Sequence, residues 1–287
     1  KRENLGLTQK EFAELLGLKD TSERTISGWE RGEHSPTKRK LEDIKNLSTN
    51  IPFKDKARKH AFTFIDLFAG IGGIRLPFQE LQGKCVLTSE WDKFSKKTYA
   101  ANYGELPKGD ITKILCSEIP EHDVLLAGFP CQAFSQAGLK KGFMDTRGTM
   151  FFEIQRILTR KRPKAFLLEN VKQLKGHDKG RTLESILAIL KGENTKEIPD
   201  AIPMSEEARN SLRSQLNYAV GYRILKATDF GVPQKRERIY IVGFDRDQFK
   251  GVDLDKTLDE LFNDLDSRSA HTSMKDVLIK NTDVDMI

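Results

Sequence analysis

From residue 62 onward the chain alternates short apolar runs with amphipathic stretches, and that alternation narrows the available folds more than any other feature. The runs FTFID, KCVLTSE, DVLLAGFP, KAFLLEN, YRILKA and RIYIVGF are strand-length, and each closes on a loop. Between several of them, residues 74–81, 94–102, 150–158 and 182–190 space their apolar side chains at helical intervals. A chain that alternates strand and helix buries both faces of a sheet, so the pattern predicts an α/β fold with an open, doubly wound, mostly parallel sheet. Ligands of such sheets sit beyond the carboxyl ends of the strands. Residues 192–213 interrupt the alternation and are polar enough to read as a surface insertion.

The segment upstream is built differently. Residues 8–17, TQKEFAELLG, put Phe12, Leu15 and Leu16 on one helical face behind a threonine cap, with Gly17 placed to stop the helix. A second helix is expected at once, with Asp20 and Thr21 offering capping oxygens, Ile26 and Trp29 an apolar face, and Gly32 its end. Two short helices joined by a tight turn make a helix-turn-helix, and this one resembles the Cro/repressor type of DNA-binding domain. The resemblance implies that the second helix reads bases in a major groove through Thr21, Ser22, Arg24, Thr25 and Ser27. Compact packing or dimerisation is the competing use. Residues 35–61, with Pro36, Pro52 and many Lys and Arg, read as a solvated linker whose cations can touch phosphate. The expected division is a helix-turn-helix at 1–48, incomplete at its start, a basic linker at 49–61, a catalytic domain at 62–245 and an acidic segment at 246–287.

Charge adds a partner class. With 48 Lys and Arg against 42 Asp and Glu the excess is modest, but residues 245–287 hold 11 acids and 6 bases, so all of it lies upstream. Three cysteines, odd in number and far apart, argue against a disulfide framework or a zinc pair and favour a reducing, cytoplasmic (bacterial) setting. No apolar run approaches the roughly 18 residues of a membrane span, so no membrane association is expected.

The first strand runs into FAGIGG, where Gly70, Gly72 and Gly73 let the backbone turn and approach a ligand. Such loops serve nucleotides, dinucleotides and S-adenosylmethionine alike. The second strand ends at Glu90, about 20 residues on, where a carboxylate can accept from ribose hydroxyls, and Trp91 beside it can stack on a purine. Next comes GDIT, in which Asp110 can accept from the adenine amine and Ile111 can pack on the ring; alternatively Asp110 is a helix cap. No GK[ST] follows the glycines, which favours a cofactor without a phosphate chain.

The third strand delivers GFPCQAFS. Cys131 stands among turn and polar residues instead of inside an apolar run, as expected of an exposed nucleophile; arginines such as Arg147, Arg236 or Arg238 converging on it would lower its pKa. With DLFAGIGG at 66–73, SEWD at 89–92, GDIT at 109–112, GFPCQAFS at 128–135, ENV at 169–171 and QKRERIYIVG at 234–243, the chain resembles the cytosine carbon-5 DNA methyltransferases from about residue 64 to 243. The resemblance implies S-adenosylmethionine held by Phe68, Gly70, Ile71, Gly72, Gly73, Glu90, Trp91, Asp110, Ile111, Pro130 and Met150. It implies that Cys131 attacks the base, Glu169 holds a proton at ring nitrogen 3, Arg238 binds the base carbonyl and Arg236 anchors the loop or a phosphate, with Asn170 fixing the loop. Gln132, Ser135 and Arg147 would contact DNA from a loop at 132–148 that closes over a flipped nucleotide.

In relatives a target-recognition region follows QKRERIY; here the remaining residues are acidic and show no such loop. A second polypeptide supplying recognition and the end of the cofactor pocket is therefore expected, a shortened chain being the other explanation. The implied role is the modification enzyme of a restriction-modification system acting on double-stranded DNA. A transcriptional regulator working through the helix-turn-helix stands beside it, and an RNA methyltransferase is disfavoured by the GFPCQ text.

Overall fold

A computed structural model of the chain describes residues 2, 7–18, 22–46, 51–130, 150–193 and 204–277. The chain divides into two compact units, Lys1–Ile114 and Leu115–Ile287. The first contains helices α1 (Gln9–Leu15), α2 (Ser22–Arg31) and α3 (Lys38–Asn46), then β1 (Phe62–Leu67), α4 (Arg75–Glu80), β2 (Gly83–Ser89) and α5 (Lys93–Tyr103). The second contains β3 (Val124–Gly128), α6 (Met150–Lys161), β4 (Ala165–Val171), α7 (Arg181–Lys191), α8 (Glu206–Ser211), β5 (Tyr218–Lys226), β6 (Glu237–Asp245), α9 (Leu254–Ser267) and α10 (Met274–Val277).

The expected strands all form: β2 and β1 pair in the first unit, and β3, β4, β6 and β5 stand side by side in that order in the second. β1 runs parallel to β2 and β3 parallel to β4, whereas β6 is antiparallel to both β4 and β5. Glu169 pairs with Gly128 on one side and Tyr240 on the other, and Val171 pairs with Arg238. That register brings the ENV and QKRER motifs to one edge of the second unit.

Helix α1 starts on a reciprocal capping box. The Glu11 amide donates to the Thr8 hydroxyl at 3.2 Å, and the Thr8 amide donates to the Glu11 carboxylate at 2.8 Å. Its buried face is Phe12, Ala13 and Leu16, which pack with Ile26 and, at the margin, Trp29 and Ile44. Leu15 was expected in that face and is instead 51 % exposed. At about 100° per residue it points roughly a quarter-turn or more away from the stripe that Phe12, Ala13 and Leu16 define. Part of the expected linker also proves helical: in α3, Ile44 joins the small core and the Lys40 ammonium donates to the Leu16 carbonyl at 2.8 Å.

Within the stretch read as a surface insertion, residues 204–213 pack against α6 instead. Ala208 of α8 is fully buried, and Gln155 of α6 donates to the Ser211 carbonyl at 3.0 Å. Arg156, itself buried, donates to Glu153 at 2.5 Å and to Glu207 at 2.8 Å. Two polar residues of the segment, Glu207 and Ser211, are thus engaged by α6, and removing one partner of the buried Arg156–Glu153 pair costs about 3–5 kcal/mol. In α6, Phe151, Phe152, Ile154, Ile157 and Leu158 are all buried, so the helix needs cover on more than one side.

Candidate functional site

In the first unit, β1 ends on a tight turn. Phe68 has φ 55°, a left-handed conformation rare outside glycine, and Gly70 and Gly72 follow at 56° and 92°. A Cβ on Gly72 would stand 2.2 Å from the Tyr103 ring, so glycine is required there for close approach as well as for conformation. Gly70 and Gly73 instead have open space where a Cβ would be, which leaves the loop backbone accessible. The loop is held from α5, where the Tyr103 hydroxyl donates to the Gly72 carbonyl at 2.5 Å and the Asn102 amide to the Ile71 carbonyl at 2.9 Å.

Glu90 is buried and accepts from the Gly70 amide and the Asp92 amide, both at 2.8 Å, one on each carboxylate oxygen. Each oxygen keeps a second lone pair, enough for a vicinal diol. Trp91 is 75 % exposed and so free to stack. Asp110 caps the turn Ile111–Lys113, one oxygen accepting from the Thr112 amide at 3.0 Å and hydroxyl at 2.8 Å. Its other oxygen has no protein partner among the described residues, so capping and ligand binding are compatible. Ile111 is only 2 % exposed and presents little surface to a ring, whereas Ile71 is exposed.

Asp66 escaped the sequence reading. It is fully buried two residues before Phe68, and neither carboxylate oxygen has a hydrogen-bond partner among the described residues. Burial pushes its pKa up to about 7, with Glu90 adding to the rise and Arg75 opposing it. Arg75 is itself buried, donating to the Tyr99 hydroxyl at 2.6 Å and pairing with Glu105. An acid inside the apolar run FTFIDL, directly ahead of a glycine loop, was the available signal.

In the second unit, Glu169 pairs with Arg238 at 2.9 Å and Arg236 at 3.4 Å. Arg238 and Tyr240 alternate with buried Ile239 and Ile241, so both face the Glu169 side of the sheet. Burial, then the Glu169 charge, raises the Tyr240 pKa. The Asn170 amide nitrogen donates to the Phe129 carbonyl at 3.3 Å while its oxygen accepts from the Val171 amide at 2.8 Å. This ties β4 to the chain just before Pro130. Met150 opens α6. Cys131, Gln132, Ser135 and Arg147, like Thr21 in the helix-turn-helix, lie outside the described residues, as does the side chain of Ser22. On α2, Arg24 is exposed and Thr25 and Ser27 are half-buried, flanking buried Ile26.

A profile of the C-5 cytosine-specific DNA methylases matches residues 62–195 and 204–285. The chain belongs to that family. A second profile, helix-turn-helix, matches residues 1–46. The type II methyltransferase M.SsoII of Shigella sonnei is 52 % identical over 251 residues, covering 87 % of this chain and 60 % of that protein. M1.ScrFI of Lactococcus lactis subsp. cremoris is 52 % identical over 247 residues, covering 86 % and 57 %. The chain thus spans about three-fifths of the length of these methylases. A crystal structure from E. coli, of a protein assigned as a DNA modification methyltransferase encoded within a prophage, matches with TM-score 0.53 at 19 % identity, covering 77 % of this chain and 56 % of that one, a likeness of fold. No helix among the described residues is long and apolar enough to cross a membrane.

Proposed function

We propose that the chain carries the catalytic core of a DNA (cytosine-5-)-methyltransferase that methylates carbon 5 of a cytosine flipped out of duplex DNA, as the modification enzyme of a restriction-modification system. The observation that carries the reading is the cluster at the end of β4. Glu169 sits between two guanidiniums, and the adjacent Asn170 grips the carbonyl two residues before Cys131.

S-adenosylmethionine fits the open loop backbone at Gly70 and Gly73, with Glu90 for the ribose, Asp110 for the adenine amine and Trp91 for stacking. When bound it supplies an electrophilic methyl group. The chain's own residues make carbon 5 reactive. The Cys131 thiolate adds to carbon 6 and breaks the ring's 5,6 double bond, while Glu169 holds the proton at nitrogen 3 so that the electron pair reaches carbon 5. Arg238 donates to the base carbonyl, and Arg236, the more exposed of the pair, serves a phosphate or the loop. After methylation, loss of the carbon-5 proton restores the double bond and expels Cys131. Flipping the base costs roughly a few kcal/mol of stacking.

The test is tritium transfer from labelled cofactor to plasmid DNA, run with the chain alone and with a companion polypeptide carrying target recognition. Cys131→Ser is expected to abolish transfer and the covalent adduct with 5-fluorocytosine duplexes. Transfer by that variant at the parental rate would remove the covalent mechanism. A second, compatible reading is transcriptional regulation through the helix-turn-helix, favoured by exposed Arg24 on α2 and by the profile match over residues 1–46.

A further inference from the structure

Between α3 and β1 runs KDKARKH, residues 54–60. Lys54, Lys56, Arg58 and Lys59 are all exposed. None of the four side chains has an ion-pair or hydrogen-bond partner among the described residues, whereas Lys40 and Arg75 of the same unit are paired. The one acid in the segment, Asp55, is already engaged: it accepts from the Ala57 amide at 2.9 Å and pairs with His60 at 2.7 Å. It therefore rigidifies the turn and leaves the four cations unneutralised.

The segment is also fastened at both ends. The Phe53 amide donates to the Asn102 carbonyl at 3.0 Å, its ring lies 5.8 Å from that of Tyr103, and Gln79 donates to its carbonyl at 2.8 Å. At the far end the Ala61 amide donates to the Gln82 carbonyl at 2.9 Å. The strap lines a concavity of about 750 Å³ together with Gln79, Glu80 and Gln82. A solvated linker needs none of these anchors. Four unpaired cations on a pinned backbone, beside amide donors, have the chemistry of a surface that tracks a phosphodiester backbone.

We propose that this strap binds the phosphates of duplex DNA without reading sequence. The inference rests on the reading of the chain as a DNA methylase and adds a contact surface separate from both the helix-turn-helix and the base-binding cluster. Each phosphate neutralised contributes about 0.9 to the slope of log affinity against log salt.

The experiment measures binding of the full chain to a duplex of arbitrary sequence from 50 to 200 mM salt by fluorescence anisotropy. The parent is compared with Lys54→Gln/Lys56→Gln/Arg58→Gln/Lys59→Gln. Because the four side chains are exposed, the variant is expected to keep the parental melting temperature while the slope falls by about 2 to 4. An unchanged slope in a folded variant would overturn the strap and leave the methylase reading standing. Failure of the parent to bind any duplex would overturn both.

Discussion

Replacing Gly72 with alanine tests how the glycine loop is built. The new Cβ would lie 2.2 Å from Cε2 and 2.9 Å from Cζ of Tyr103. That ring cannot swing away cheaply: it packs 4.7 Å from Tyr99, carries the Arg75 guanidinium 4.3 Å above it and donates its hydroxyl to the loop. Two costs add. Alanine at φ 92° loses about 1–2 kcal/mol from left-handed backbone strain, and overpacking a fixed ring costs about 1–3 kcal/mol, so the whole effect is about 2–5 kcal/mol. Urea unfolding measures it, with Tyr103→Ala and the double variant closing a cycle. Removing the ring relieves the clash but not the strain, so the double variant should recover about 1–3 kcal/mol relative to additivity. A cost for Gly72→Ala below about 1 kcal/mol, or a cycle that closes with no coupling, would refute the argument that close approach and backbone conformation both select glycine.

Two other outcomes follow from buried or exposed charge. Asp66 keeps its proton in the folded chain up to about pH 7, whereas the unfolded chain releases it near 3.8, so its contribution to stability is full below that range and is lost as pH rises through 7. Asp66→Asn should flatten the dependence of the urea midpoint between about pH 4 and 7, and parallel curves for parent and variant would count against a buried, unpartnered acid. Arg24→Ala should weaken binding to DNA upstream of the chain's own gene by about 1–3 kcal/mol while sparing methyl transfer, and a full-strength gel shift would argue that α2 does not enter a groove.

How much was legible in the sequence differs between elements for physical reasons. Each strand was visible because a buried strand must be a short apolar run, and each site motif because its backbone demands turn residues at the strand end. The packing of residues 204–213 was not visible: Glu207 and Ser211 look solvated until Arg156 and Gln155 are known to lie opposite them. Leu15 was misplaced because a seven-residue helix gives too few positions to define its buried stripe. Asp66 passed unnoticed because a single acid does not break an apolar pattern.

The chain's order of residue types by itself determined its family and the alternation of strand and helix, since these depend on local periodicity and on side-chain chemistry. Only the tertiary structure decided which charges are paired, which are stranded and which stand free. Glu169 between Arg236 and Arg238 and, among the described residues, Asp66 without a donor and the unpaired cations of residues 54–59 are all facts of distance between segments. Electrostatic energy depends on separation and on exclusion of water, and neither quantity is written in the order of residues along a chain.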